Sequence, residues 1–157
     1  MGAATGVAIA VAILAGYAIL SAVGFDAGAL RPALEANGLD QPLRCALAAG
    51  WLILVNALLE EYAFRWFITS RWERLLGPGG GGAILLSALS FTIHHVVVLA
   101  AFFSPLLVVV GSLGVFIGGL VWSLLYRRYR SVRPVWLSHA IADIAILAIG
   151  WRLLSTG

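Results

Sequence analysis

Seven ionisable side chains stand inside the apolar runs of this chain. Glu60, Glu61 and Arg65 lie in "NALLEEYAFRWF" (56–67), His94 and His95 in "FTIHH" (91–95), and His139 and Asp143 in "HAIAD" (139–143). A charge placed in hydrocarbon costs about 2.5–3.5 kcal/mol on insertion scales, so such residues are kept for function or for pairing. A carboxylate beside imidazoles can take a proton from water, and a second imidazole can steady the oxyanion that follows. Hydrolysis of a carbonyl compound within a membrane is the chemistry this set suits.

The spacings divide the set. Glu61 and Arg65 are i and i+4, where a carboxylate and a guanidinium meet on one helix face. They read as a supporting salt bridge. Glu60 points about 100° away from that pair. Asn56, one turn earlier, shares its face and can hydrogen-bond it. An acid in apolar surroundings without a counter-charge is expected to hold its proton more tightly, the condition for a general base near neutral pH. His139 and Asp143 are also i and i+4, so the aspartate can fix the imidazole's tautomer. Ser87, Phe91 and His95 share one helix face. His94 is expected to point elsewhere, as a packed or water-contacting histidine.

The elements that carry these residues follow from composition. Of 157 residues, 62% are hydrophobic and 11% charged, and the mean hydropathy is +1.01, far on the apolar side of soluble domains. The fold class expected is all-α: a polytopic membrane helical bundle of about five transmembrane helices plus short interfacial helices. The spans are 3–24, 43–65 with an interfacial continuation to 75, 83–103, 105–126 and 134–153, with a short helix near 30–37. The first span is long and has no basic residue before it, so it reads as a retained helix. "GPGGGG" at 77–82 breaks the chain, and Pro105 opens the fourth span. "GVFIG" at 114–118 is a small-xxx-small face expected to pack helices within the bundle. The whole of 1–157 is expected to be one domain.

Counted from the arginine-rich ends at 1.5 Å per residue, Glu60 lies about 10 Å deep, His95 about 18 Å, His139 about 8 Å and Asp143 about 14 Å. Three separate spans thus place acid and imidazole in one slab. The net charge of +3 does not indicate nucleic acid, because the arginines cluster at span ends. Arg71 and Arg74 fill one connection; Arg127, Arg128, Arg130 and Arg133 fill another. By the positive-inside rule both face the cytoplasm, which puts the N-terminus there as well.

Other chemistries lack their residues. HExxH is absent, so a zincin arrangement is out. There is no GxSxG-like serine motif, and Asp143 is the only aspartate within a span, so no aspartyl dyad forms. Cys45 lies about 22 Å of helix from Glu60 and reads as a small buried thiol. No cofactor is favoured. Zinc stays open, because Glu60, His95, His139 and Asp143 supply plausible ligands.

These motifs together resemble a known family. "EEYAFR" at 60–65 is similar to the Glu-Glu-x-x-x-Arg motif of the CAAX prenyl protease and bacteriocin-processing family. "FTIHH" resembles its Phe-x-x-x-His, which selects His95 over His94, and "HAIAD" its His-x-x-x-Asn/Asp. The likeness covers about residues 45–155. It implies a glutamic-type intramembrane endopeptidase, in a family long described as metalloproteases. Glu60 and His95 would activate water, His139 and Asp143 would form the oxyanion side, and Glu61 and Arg65 would support them. The chain departs from the pattern in two ways: it has five spans where larger members have more, and its last motif ends in Asp where Asn is common. The substrate expected is a membrane-embedded or lipid-anchored protein or peptide, in the inner membrane of a bacterium. Two other readings stay open: a non-catalytic scaffold or immunity protein of the same fold, and a small proton-coupled carrier using the same groups as a relay.

Overall fold

The computed structural model describes residues 1–24, 31–78 and 80–155. Residues 25–30 of the first connection, Gly79 of the glycine run, and residues 156–157 lie outside the described set. The described residues form helices and turns only. Helix α1 is Gly2–Ala22, α2 Arg31–Ala36, α3 Pro42–Leu76, α4 Gly81–Phe102, α5 Pro105–Tyr129 and α6 Val132–Ser155. All but the short α2 are long and apolar enough to cross a membrane.

Boundaries fall where local chemistry puts them. Pro42 and Pro105 occupy first-turn positions of α3 and α5, where a missing N–H costs nothing. Gly77, at φ 92°, ends α3 in a conformation closed to most side chains. Helix α3 is continuous through residue 76. It contains two wide π-helical stretches, Trp51–Asn56 and Tyr62–Ile68. The second lies directly after the two glutamates.

Burial is inverted relative to a water-soluble protein. Glu61, Arg65, Thr69, Ser87, Ser123, Ser138 and His139 are buried, while Ile19, Val97, Leu106 and Val109 are each more than 60% exposed. Only a bilayer satisfies such an exterior. The chain is an integral membrane protein.

Two compact units divide the chain. One comprises Met1, Ala3–Ala57 and Leu137–Gly157; the other comprises Gly2 and Leu58–Trp136. In the first, α1 lies close against α6. A Cβ on Gly6 would fall 2.8 Å from the Ser138 carbonyl oxygen and 2.9 Å from Ile141 Cβ. That approach needs glycine, and it packs the α6 turn that carries His139. In the second, the lower half of α3 packs with α4 and α5 around Ala83, Ile84, Ala88, Phe91 and Trp122. Small side chains let the backbones close, as is usual between membrane helices. The close approach is carried by Gly119, where a Cβ would touch Ala88 and Phe91 at 3.4–3.5 Å. This corrects the expectation for 114–118: Gly114 has open space around it, and Gly118 faces the Trp122 ring of its own helix.

Candidate active site

The second unit holds the carboxylate-imidazole cluster. Glu60 and Glu61 sit in the short α-helical stretch Ala57–Glu61 between the two wide turns of α3. Consecutive residues on a helix point about 100° apart, so the two carboxylates have different fates.

Glu61 faces inward. Its Oε2 lies 3.0 Å from Arg65 Nε, and both side chains are fully buried. The contact is an ion pair set off the N–H axis. The Arg65 guanidinium lies 4.6 Å above the Phe91 ring and 5.9 Å from that of Trp122. Its Nη1 reaches Ser87 Oγ at 3.5 Å, and its Nη2 has no hydrogen-bond partner among the described residues. The charge is therefore held by one carboxylate and two aromatic faces.

The wide turn supplies an acceptor beside this pair. A π turn redirects a carbonyl to the N–H five residues on, and the Thr69 N–H goes to the Phe64 carbonyl. That oxygen also lies 2.9 Å from Thr69 Oγ1 and 3.0 Å from Ser87 Oγ. The two hydroxyls meet at 2.7 Å. Two hydroxyl protons can fill two of these three contacts at once. Either way, α4 is tied to the turn of α3 that follows the glutamates.

Glu60 is 11% exposed and faces two imidazoles of α4. Its Oε1 lies 3.5 Å from His94 Nε2 and its Oε2 lies 3.8 Å from His95 Nε2. His95 Nδ1 lies 3.1 Å from the Phe91 carbonyl. A carbonyl only accepts, so Nδ1 carries the proton and, in the neutral ring, Nε2 presents its lone pair toward Glu60. The Phe91 ring packs on His95 at 4.2 Å between centroids and fixes its plane.

His94 requires a correction. Helix-face geometry points it away, yet its Nε2 stands nearer Glu60 than that of His95 does. The two rings cross at 86° with centroids 5.2 Å apart, so a carboxylate can offer one oxygen to each. His94 is 48% exposed against 22% for His95 and also touches Phe64. The same contacts supersede the expectation that Glu60 stands without an ionisable partner.

In the first unit, His139 Nε2 lies 3.5 Å from Asp143 Oδ1, the i, i+4 pairing expected from the sequence. His139 is 5% and Asp143 18% exposed. Asn56 closes the first wide turn, partly buried. Thr69, Phe64 and Trp122 entered the site unannounced: nothing in residue spacing marks a redirected carbonyl or a ring laid under a guanidinium.

Among the described residues no three His, Cys, Asp or Glu side chains come together as a set that could hold a metal ion.

A family model described as Type II CAAX prenyl endopeptidase Rce1-like matches residues 42–145. No curated protein and no solved structure matches the chain.

Proposed function

The chain belongs to the Type II CAAX prenyl endopeptidase Rce1-like family, and from that premise we propose that it hydrolyses a peptide bond in a membrane-embedded or lipid-anchored protein or peptide. The observation that carries this reading is Glu60 facing His95 at 3.8 Å, with the His95 tautomer set by the Phe91 carbonyl. A gap of that length is too wide for a direct hydrogen bond. It suits a water that donates one O–H to the carboxylate and one to the imidazole.

The proposed reaction then runs as follows. The water oxygen adds to the scissile carbonyl carbon as Glu60, with His95, takes its proton. The carbonyl π pair moves to oxygen, and His139, oriented by Asp143, is assigned to that oxyanion. When the C–N bond breaks, the proton held by Glu60 passes to the leaving nitrogen. A carboxylic acid and an amine result, and the acid gives its remaining proton to water. Glu61 and Arg65 are assigned no proton transfer; they hold the turn from which Glu60 projects. Substrate choice is proposed at the level of class alone: a C-terminal sorting or processing segment tethered to the bilayer. The proposed setting is a bacterial inner membrane, with the N-terminus on the cytoplasmic side.

The test uses the full chain in proteoliposomes with peptides bearing a C-terminal lipid, against the same peptides without it. Mass spectrometry would show internal cleavage of the tethered peptide. A strong chelator should leave that rate unchanged; loss on chelation with recovery on added zinc would contradict the metal-free route. Absence of cleavage across tethered peptides of varied sequence would contradict the endopeptidase reading.

A further inference from the structure

One end of α3 carries charge that the site does not use. Glu73 is bound through both oxygens by Arg130, at 2.6 and 2.9 Å. That acid is thereby occupied, whereas Arg71 and Arg74 have no carboxylate partner among the described residues. The Arg71 guanidinium instead lies 4.9 Å from the Phe67 ring. An open cleft runs here, lined by Trp66, Phe67, Ser70, Arg71 and Arg74.

The order of side chains along this helix is graded. Trp66 and Phe67, each 47% exposed, come first; the Ser70 hydroxyl follows, then the two guanidiniums. Trp66 also stacks on exposed Tyr62 at 4.6 Å. From Trp66 to Arg71 the rise is about 7.5 Å, and to Arg74 about 12 Å. The headgroup zone of one leaflet is about 5–8 Å thick. Apolar rings followed by two cations thus match the order of acyl chain and phosphate in a phospholipid, while the Ser70 hydroxyl between them gives its proton to the Trp66 carbonyl. Arginines that merely set orientation need neither a cleft nor an aromatic floor.

We propose that this cleft binds the headgroup of an anionic phospholipid, with its phosphate between Arg71 and Arg74 and its upper acyl chain over Trp66 and Phe67. The site is separate from the Glu60 cluster, and its test needs no protease activity.

The full chain is released from micelles holding equal phosphatidylglycerol and phosphatidylcholine, and retained lipid is counted by native mass spectrometry. The wild type retains phosphatidylglycerol in preference. Arg71→Gln and Arg74→Gln each cut that preference about five-fold, and the Arg→Lys variants keep most of it. Arg128→Gln, an exposed arginine outside the cleft, leaves it intact. Inorganic phosphate, against chloride at equal ionic strength, displaces no lipid. Equal retention of the two lipids by the wild type would overturn the proposal, as would an unchanged preference in folded Arg71→Gln and Arg74→Gln proteins. An equal loss in Arg128→Gln would reduce the effect to general surface charge and overturn it. Displacement by inorganic phosphate would assign the cleft to a free anion instead. Circular dichroism and thermal midpoints confirm that each variant is folded; should one glutamine variant fail, the other against Arg128→Gln still decides.

Discussion

Arg65 Nε lies 3.0 Å from Glu61 Oε2, and neither side chain has any exposed surface. Two opposite charges four residues apart are here removed from every solvent and enclosed by Phe91, Trp122 and Ser87. Breaking such a pair leaves one buried charge uncompensated, at about 3–5 kcal/mol, whereas replacing both partners by apolar residues can be neutral. Arg65→Met alone should therefore lower thermal stability in detergent strongly, and Glu61→Leu/Arg65→Met should recover much of the loss. A double variant no more stable than the single one would show that the pair is not what holds this turn.

The two imidazoles beside Glu60 separate by a different measurement. His95 has its Nδ1 on the Phe91 carbonyl and its ring against Phe91, so its Nε2 is oriented. For His94 the fixed contacts are Glu60 and the ring of Phe64, and half its surface is open. His95→Ala should cost about 10²–10⁴-fold in the cleavage rate, and His94→Ala less than about 10-fold. Equal losses, measured as initial rates on one tethered peptide, would mean that His94 shares the proton work.

Arg130 sits at φ 47°, ψ 34°, left-handed for a residue with a side chain. It holds Glu73 from there. Arg130→Ala loses the pair and keeps the strain; Arg130→Gly loses the pair and relieves about 1 kcal/mol of strain. The glycine variant should thus be the more stable of the two, by a measurable shift in unfolding midpoint. The hydrogen bonds from Arg130 to Glu73 raise the guanidinium above its ordinary value. A raised basic group contributes stability that is fully present below its unfolded value and lost only as pH rises through the folded one. Across about pH 5–9 the arginine stays charged, so the stability margin of the wild type over Arg130→Ala should hold across that range. Loss of that margin as pH rises from about 5 to about 9 would contradict the assignment.

Much of this architecture is legible in the residues. Spans expected at 83–103 and 105–126 are the helices Gly81–Phe102 and Pro105–Tyr129, because long apolar runs bounded by glycine and proline leave few alternatives. The continuation of the second span to about 75 is equally plain from "RWERLL". The pairs at i, i+4 were readable as well: helical geometry alone brings Glu61 to Arg65 and His139 to Asp143. The wide turn at Tyr62–Ile68 was not readable. It changes a hydrogen bond by one residue and leaves hydrophobic periodicity almost untouched. Thr69 and Ser87 on the Phe64 carbonyl were hidden with it. The place of His94 does not follow from helix faces, because a carboxylate is not a point: its two oxygens can serve neighbouring rings.

The most direct test of the proposed chemistry is the single-turnover rate of Glu60→Gln on a cleaved, membrane-tethered peptide. Glutamine keeps the shape of the side chain but cannot take a proton from water. The expected result is a loss of about 10²–10⁴-fold, with peptide binding and thermal stability retained. Cleavage at the wild-type rate would contradict the assignment of Glu60 as the base.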